Sequence, residues 1–206
     1  MISLLFSQPL VFLVFFPGLL MSIVIHEFAH SLAADKLGDP TPRVKGRLTL
    51  DPRVHLDPIG TIAILLTRFG WGKPAPFDPF NLKEPVRDTA LIALAGPVSN
   101  LAVALLLSIV IKLGLIPFMV VNTALISLVI INIMLAVFNL LPIYPLDGSK
   151  ILTAILPKTT AIEYERFMER YGTLVLLLLI FPIFTSVSPA ARLISPIINL
   201  IADILL

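Results

Sequence analysis

The 206-residue sequence contains no cysteine, which excludes disulfides, thiolate nucleophiles and thiolate metal ligands. Any metal must therefore be held by histidine, aspartate or glutamate. Charge is scarce too. Fifteen Lys and Arg and thirteen Asp and Glu are too few to clothe a soluble globule of this length. Only three histidines and one tryptophan occur. What is plentiful is apolar: 57% of residues are hydrophobic and the mean hydropathy is +0.99, so the expected surroundings are a lipid bilayer. A net charge of +2, with the basic residues gathered in short loops, is explained by membrane topology, and no nucleic-acid partner is expected.

Apolar segments fall at residues 9–34, 89–111, 117–141, 172–187 and 190–206, with a shorter one at 58–67. A span needs about 20 apolar residues, so the short segment reads as re-entrant or surface-lying. The two C-terminal segments are interrupted by Ser188-Pro189 and read either as two tilted spans or as one span plus an interfacial helix. Near the N-terminus, no basic residue precedes Leu4 and no small-residue cleavage site follows the apolar run. Residues 9–34 are therefore expected to form one span kinked at Pro17, not a signal peptide.

Nine Lys and Arg lie in residues 36–90, one at Lys112, four in residues 142–171 and one at Arg192. By the positive-inside rule the 36–90 and 142–171 segments face the cytoplasm, so the first and third spans end on the same side. Between Arg43 and Leu50, polar and apolar residues alternate; this is a strand pattern, expected to lie on the membrane surface and either anchor the loop or receive substrate. The expected fold is thus an all-α integral membrane protein, a polytopic helical bundle of about four to five spans with a re-entrant segment and a small membrane-surface β element. It forms one domain over 1–206, with a core at 9–150 and accessory C-terminal helices at 172–206.

His26-Glu27-Phe28-Ala29-His30 is an HExxH pattern within the first span. At i and i+4 on a helix, two imidazoles share a face and can ligate one zinc ion, with Glu27 beside them as the base. With three His and five Glu in the chain, random placement would produce the pattern in roughly one shuffle per thousand. Ionisable groups inside a span mark a metal, ion or proton pathway, which leaves little room for a mere polar patch. A third ligand must come from the same membrane face. Asp147, between Pro145-Leu146 and Gly148, is one candidate; spacing alone leaves it open as ligand or helix cap, with Asp35 and Asp57 competing. His55, alone in a polar loop beside Asp57, is expected to be a surface or interfacial residue and not a ligand.

HEFAH, Ala95 to Asn100 (AGPVSN) and Asn139 to Gly148 (NLLPIYPLDG) together resemble, in order and approximate separation, the site-2 protease family of intramembrane zinc metalloproteases, of the M50 peptidase type. The resemblance covers about residues 20–150 and is to a short form in which neither a PDZ domain nor a regulatory domain is evident. It implies zinc, one ion per chain, held by His26, His30 and Asp147, with Glu27 catalytic. Asn139 and Asn100 are implied as substrate-binding or oxyanion residues, Asn100 lying near the helix core, where an amide can equally join helices. The implied activity is hydrolysis of a peptide bond in a transmembrane protein or membrane peptide, within or at the edge of the bilayer. The implied location is a prokaryotic cell membrane, with the active site toward the cytoplasm. Two other readings use the same residues: a zinc-binding membrane protein without hydrolysis, and a non-catalytic scaffold retaining membrane clients.

Overall fold

The computed structural model describes residues 1–67, 70–182 and 187–206. In chain order the helices are α1 (Ile2–Ser7), α2 (Pro9–Lys36), α3 (Thr41–Val44), α4 (Pro52–His55), α5 (Pro58–Thr67), α6 (Pro85–Lys112), α7 (Met119–Asn139), α8 (Asp147–Ile155), α9 (Lys158–Ile180) and α10 (Pro189–Leu205). A 3-10 turn at Pro79–Asn81 precedes α6. Proline opens α2, α4, α5, α6 and α10, where its missing N–H would have had no helical partner and its fixed φ suits the first turn.

Among the described residues, three helices are long and apolar enough to cross a membrane: α2, α6 and α7. The sequence suggested four to five. The difference lies at the C-terminus, where the expected 172–187 segment is not a separate helix. Its first residues complete α9, which starts in the charged stretch from Lys158, and residues 183–186 lie outside the described residues. In α10, Ile194 packs with Ala104, Val129, Ile133 and Val137 of α6 and α7. The expected short segment is present as α5. At about 1.5 Å per residue it covers about half the hydrocarbon thickness, and its Ile64 packs beside Leu19, Leu125 and Leu128.

The β element expected between Arg43 and Leu50 does not form. Thr41–Val44 is one helical turn, Gly46 follows with φ +67°, and an isolated antiparallel bridge between Leu56 and Gly72 is the sole β pairing among the described residues. Alternation was overridden by backbone chemistry: Pro42 sits in the first turn of α3, which its fixed φ favours, and Gly46 takes a left-handed conformation outside the regular strand region.

The centre of the bundle is α6, packed against α2, α7 and α8. Lipid tails are as apolar as leucine, so span association depends on close packing and interhelical hydrogen bonds. Small residues allow the approach. A Cβ added to Gly18 of α2 would lie 2.5 Å from Leu128 of α7, and Ala93, Ala104, Ala124 and Ala136 are buried at the contacts. Polar ties cross the same interior: Asn100 of α6 donates to Ser22 O of α2 (3.2 Å) and Asn132 Oδ1 of α7 (2.9 Å), and Asn132 Nδ2 donates to Ser22 Oγ (2.9 Å).

Outside the spans, the buried Asp39 closes the polar loop. It accepts from Thr41 N (3.0 Å), Thr41 Oγ1 (2.6 Å), Asp78 N (2.7 Å) and Asn81 Nδ2 (2.7 Å). Burial alone would raise its carboxyl, but these hydrogen bonds prevail and hold it below the ordinary carboxylate value. A carboxyl depressed in the folded state contributes stability above its unfolded value of about 3.9 and loses it as pH falls through the folded value. Asp39→Ala, which strands the Asp78 and Thr41 amides, is expected to cost about 2–4 kcal/mol at pH 7. The gap from the native chain should shrink as pH drops below about 4, as read by circular dichroism of unfolding in detergent micelles. An unchanged midpoint at pH 7 would contradict the latch.

Candidate metal centre

His26 and His30 are one turn apart on α2, both buried, with ring centroids 4.6 Å apart and planes at 90°. Their Nε2 atoms face each other at 3.1 Å. Asp147, in the first turn of α8, places Oδ2 3.2 Å from His26 Nε2 and 3.3 Å from His30 Nε2. Two features of the 140–148 turn bring the carboxylate there. Pro142 and Pro145 cannot continue the hydrogen-bonding pattern of α7. Gly148 lies so close to the backbone of Leu140 and Leu141 that a Cβ would overlap their oxygens. The chain doubles back tightly, and α8 packs on α6 beside the two histidines.

The hydrogen bonds behind the rings decide what the cluster can hold. His30 Nδ1 lies 2.7 Å from Ile92 O; a carbonyl only accepts, so Nδ1 carries the proton and Nε2 a lone pair. His26 Nδ1 lies 2.7 Å from Asn100 Oδ1. The Asn100 amide nitrogen is already committed to Ser22 and Asn132, so Oδ1 accepts here as well and His26 Nε2 is likewise bare. Asp147 Oδ2 is buried without a hydrogen-bond partner. Three lone-pair atoms thus converge with no proton between them, an arrangement that repels unless a cation sits among them. Two imidazoles and one carboxylate are a donor set of catalytic zinc, and tetrahedral bonds of about 2.0–2.1 Å separate ligand atoms by about 3.3 Å, close to the spacings here. Among the described residues this is the sole such group of three.

Glu27, next to His26 in the chain, is half-buried. Its Oε2 accepts from Ala75 N at 2.9 Å, from the extended segment that follows α5. The competing carboxylates are engaged elsewhere: Asp35 pairs with Arg43 at 2.7 Å and Asp57 caps α5 through Gly60 N at 2.8 Å. Asn100 is 0% exposed and stands behind His26, where it fixes the ring and has no face open to a substrate. Asn139, in the last turn of α7, is half-buried and donates to Leu135 O at 2.9 Å; no described hydrogen bond joins it to the cluster. His55 is not at the surface or interface as expected, nor does it join the cluster. It is 0% exposed, because its Nε2 donates to Thr49 O at 2.7 Å and folds the polar turn over it.

Sequence reasoning missed two groups. Asn132 was legible, since an amide within an otherwise apolar span calls for a partner. The Ala75 amide was not, because a backbone donor leaves no trace in residue type.

Residues 115–183, which include Asp147 but not the two histidines, match the model of Peptidase family M50. The chain is 39% identical over 169 residues to "Putative zinc metalloprotease YwhC" of Bacillus subtilis, covering 78% of this chain and 77% of that protein. It is 37% identical over 151 residues to "Putative zinc metalloprotease Rip2" of Mycobacterium tuberculosis, covering 68% and 58%. Against "Zinc metalloprotease MJ0392" of Methanocaldococcus jannaschii, the identity is 31% over 149 residues, covering 70% and 35%. No solved structure matches the chain.

Gly96 of α6 gives the sharpest test of this geometry. A Cβ there would lie 2.6 Å from His26 Cε1 and overlap the His30 ring as well. Alanine favours a helix over glycine by about 1 kcal/mol, so a helix-only view makes Gly96→Ala neutral or stabilising. The packed rings imply the opposite: zinc content of the purified protein should fall at least tenfold, measured by atomic emission. A full zinc complement in Gly96→Ala would contradict the structure.

Proposed function

This chain belongs to peptidase family M50, as its 39% identity across 77% of YwhC shows, and on that premise we propose that it cleaves membrane-protein substrates within or at the edge of the bilayer. It is a zinc metalloprotease, with the proposed ligands His26, His30 and Asp147 and the proposed catalytic base Glu27. The observation that carries the reading is the convergence of three unprotonated, buried donors one residue from a carboxylate. When bound, zinc supplies Lewis acidity toward water and toward the scissile carbonyl.

The remaining chemistry belongs to the chain. Asn100 and the Ile92 carbonyl hold both imidazoles in the tautomer that leaves Nε2 free. Ala75 N–H fixes one Glu27 oxygen, so the other accepts the proton of the attacking water and later returns it to the leaving amide nitrogen. Asn139, at the end of α7 nearest the Asp147 turn, is assigned to substrate contact, and Asn100 to orientation of His26. His26 lies about 15 Å and His30 about 9 Å from the end of α2, at 1.5 Å per residue, a depth reached from the polar loops. A substrate span must unwind locally there, since a helical peptide bond is already hydrogen-bonded and shielded.

The nine basic residues of 36–90 favour a cytoplasmic position for this end of the bundle. We read residues 9–150 as the core of a single metalloprotease domain, with the C-terminal helices accessory to it.

Glu27→Gln separates catalysis from binding. In proteoliposomes with a transmembrane peptide, the variant should retain zinc and lose cleavage by about 10²–10⁴-fold. Undiminished cleavage would remove Glu27 from the mechanism. Zinc bound with no cleavage by the native chain, across a panel of membrane substrates, would favour a metal-binding role without hydrolysis.

A further inference from the structure

The segment from Gly70 to Asp78 runs as a strap across the Glu27 side of the metal centre, and it is pinned along its length. Gly70 and Trp71 lie against Gly60 so closely that no Cβ fits at Gly60 or Gly70. Gly72 bridges Leu56, Lys73 N donates to His55 O at 2.7 Å, and Arg47 Nη1 donates to Lys73 O at 3.3 Å. Next comes Ala75 N on Glu27 Oε2. Beyond it, Lys150 of α8 sits 5.1 Å over the Phe77 ring, and Asp78 N donates to Asp39. Pro74 and Pro76 flank Ala75 and have no amide hydrogen, so the Ala75 N–H is the lone donor of that stretch. It is also the one donor hydrogen-bonded to the Glu27 carboxylate among the described residues.

His55 holds the near end of this strap with both its side chain and its backbone. The Thr49 carbonyl accepts from its Nε2, which closes the 49–55 turn, and its own carbonyl receives Lys73. Its Nδ1 is buried with no partner. An apolar side chain would fill the same space without stranding an acceptor, so packing alone does not account for an imidazole here; the Nε2 donor does.

Resting on the reading of Glu27 as the base, we propose that His55 is a positioning residue for it. The imidazole sets the 49–55 turn, the turn sets Lys73, and the strap then presents the Ala75 N–H that aims the Glu27 carboxylate. His55 touches neither substrate nor metal ligand in this scheme and acts through the backbone alone.

Glutamine places its amide nitrogen about where Nε2 lies, whereas asparagine stops short at the position of Nδ1. His55→Asn in the full-length chain is expected to lower kcat about tenfold or more on a transmembrane peptide, with KM within about twofold and one zinc per chain retained. His55→Gln should keep kcat within about threefold of native. Hydrogen exchange over residues 72–77, which reports on Gly72, Lys73, Ala75 and Phe77, should quicken about tenfold in His55→Asn and stay near native in His55→Gln. Ala75→Pro, which deletes the donor itself, should match the kcat loss of His55→Asn and retain zinc; it tests the strap even if His55→Asn does not fold. Native kcat in His55→Asn or in Ala75→Pro overturns the proposal, as do equal losses in the Gln and Asn variants or a kcat loss that tracks loss of zinc. If the native chain cleaves nothing, the hydrolytic reading fails, whereas the exchange rates still decide whether His55 holds the strap.

Discussion

Three lone pairs aimed at one point, with every proton turned outward, are the constraint on which the rest of the molecule depends. His26 and His30 come from one helix and need only the i, i+4 spacing to meet. Asp147 comes from a helix begun more than a hundred residues later. The carboxylate reaches them because the chain reverses between Pro142 and Gly148 and because α6 presents a glycine, not a side chain, at the point of closest approach. Each device sacrifices helix propensity: Gly96 leaves room for the rings, and Gly148 lets the chain fold back against Leu140 and Leu141.

A second tier of polar groups keeps that arrangement from relaxing. In water a histidine can turn to solvent; among spanning helices its outer nitrogen must find a protein acceptor. Asn100 meets the need for His26 and continues through Asn132 and Ser22, so one chain of hydrogen bonds links α2, α6 and α7 while setting the tautomer of a proposed zinc ligand. Outer partners of this type orient a metal ligand and raise its basicity. Stability of the bundle and readiness of the site therefore depend on the same few amides.

Much of this was legible in residue types. The bilayer setting followed from hydropathy, the paired histidines from their spacing, and a segment at residues 58–67 too short to span from the length of its apolar run. Asp147 was one of several candidates on spacing alone, since only the folded chain shows Asp35 taken by Arg43 and Asp57 taken by a helix cap. The strand expected near Arg43 failed because alternation describes side chains, whereas Pro42 and Gly46 dictate backbone. His55 was misplaced for a related reason: its burial depends on a carbonyl six residues away, and hydrogen bonds to backbone leave no mark on composition. The Ala75 amide was hidden for the same cause.

The most direct test of the central claim is the zinc content of the purified native chain beside that of Asp147→Ala. With two imidazoles and one carboxylate closing on a single ion, the native protein should carry about one zinc per chain, and the variant should lose it at metal concentrations that saturate the native site. Equal zinc in both proteins would show that the carboxylate at the start of α8 is no ligand, and would contradict the account at its base.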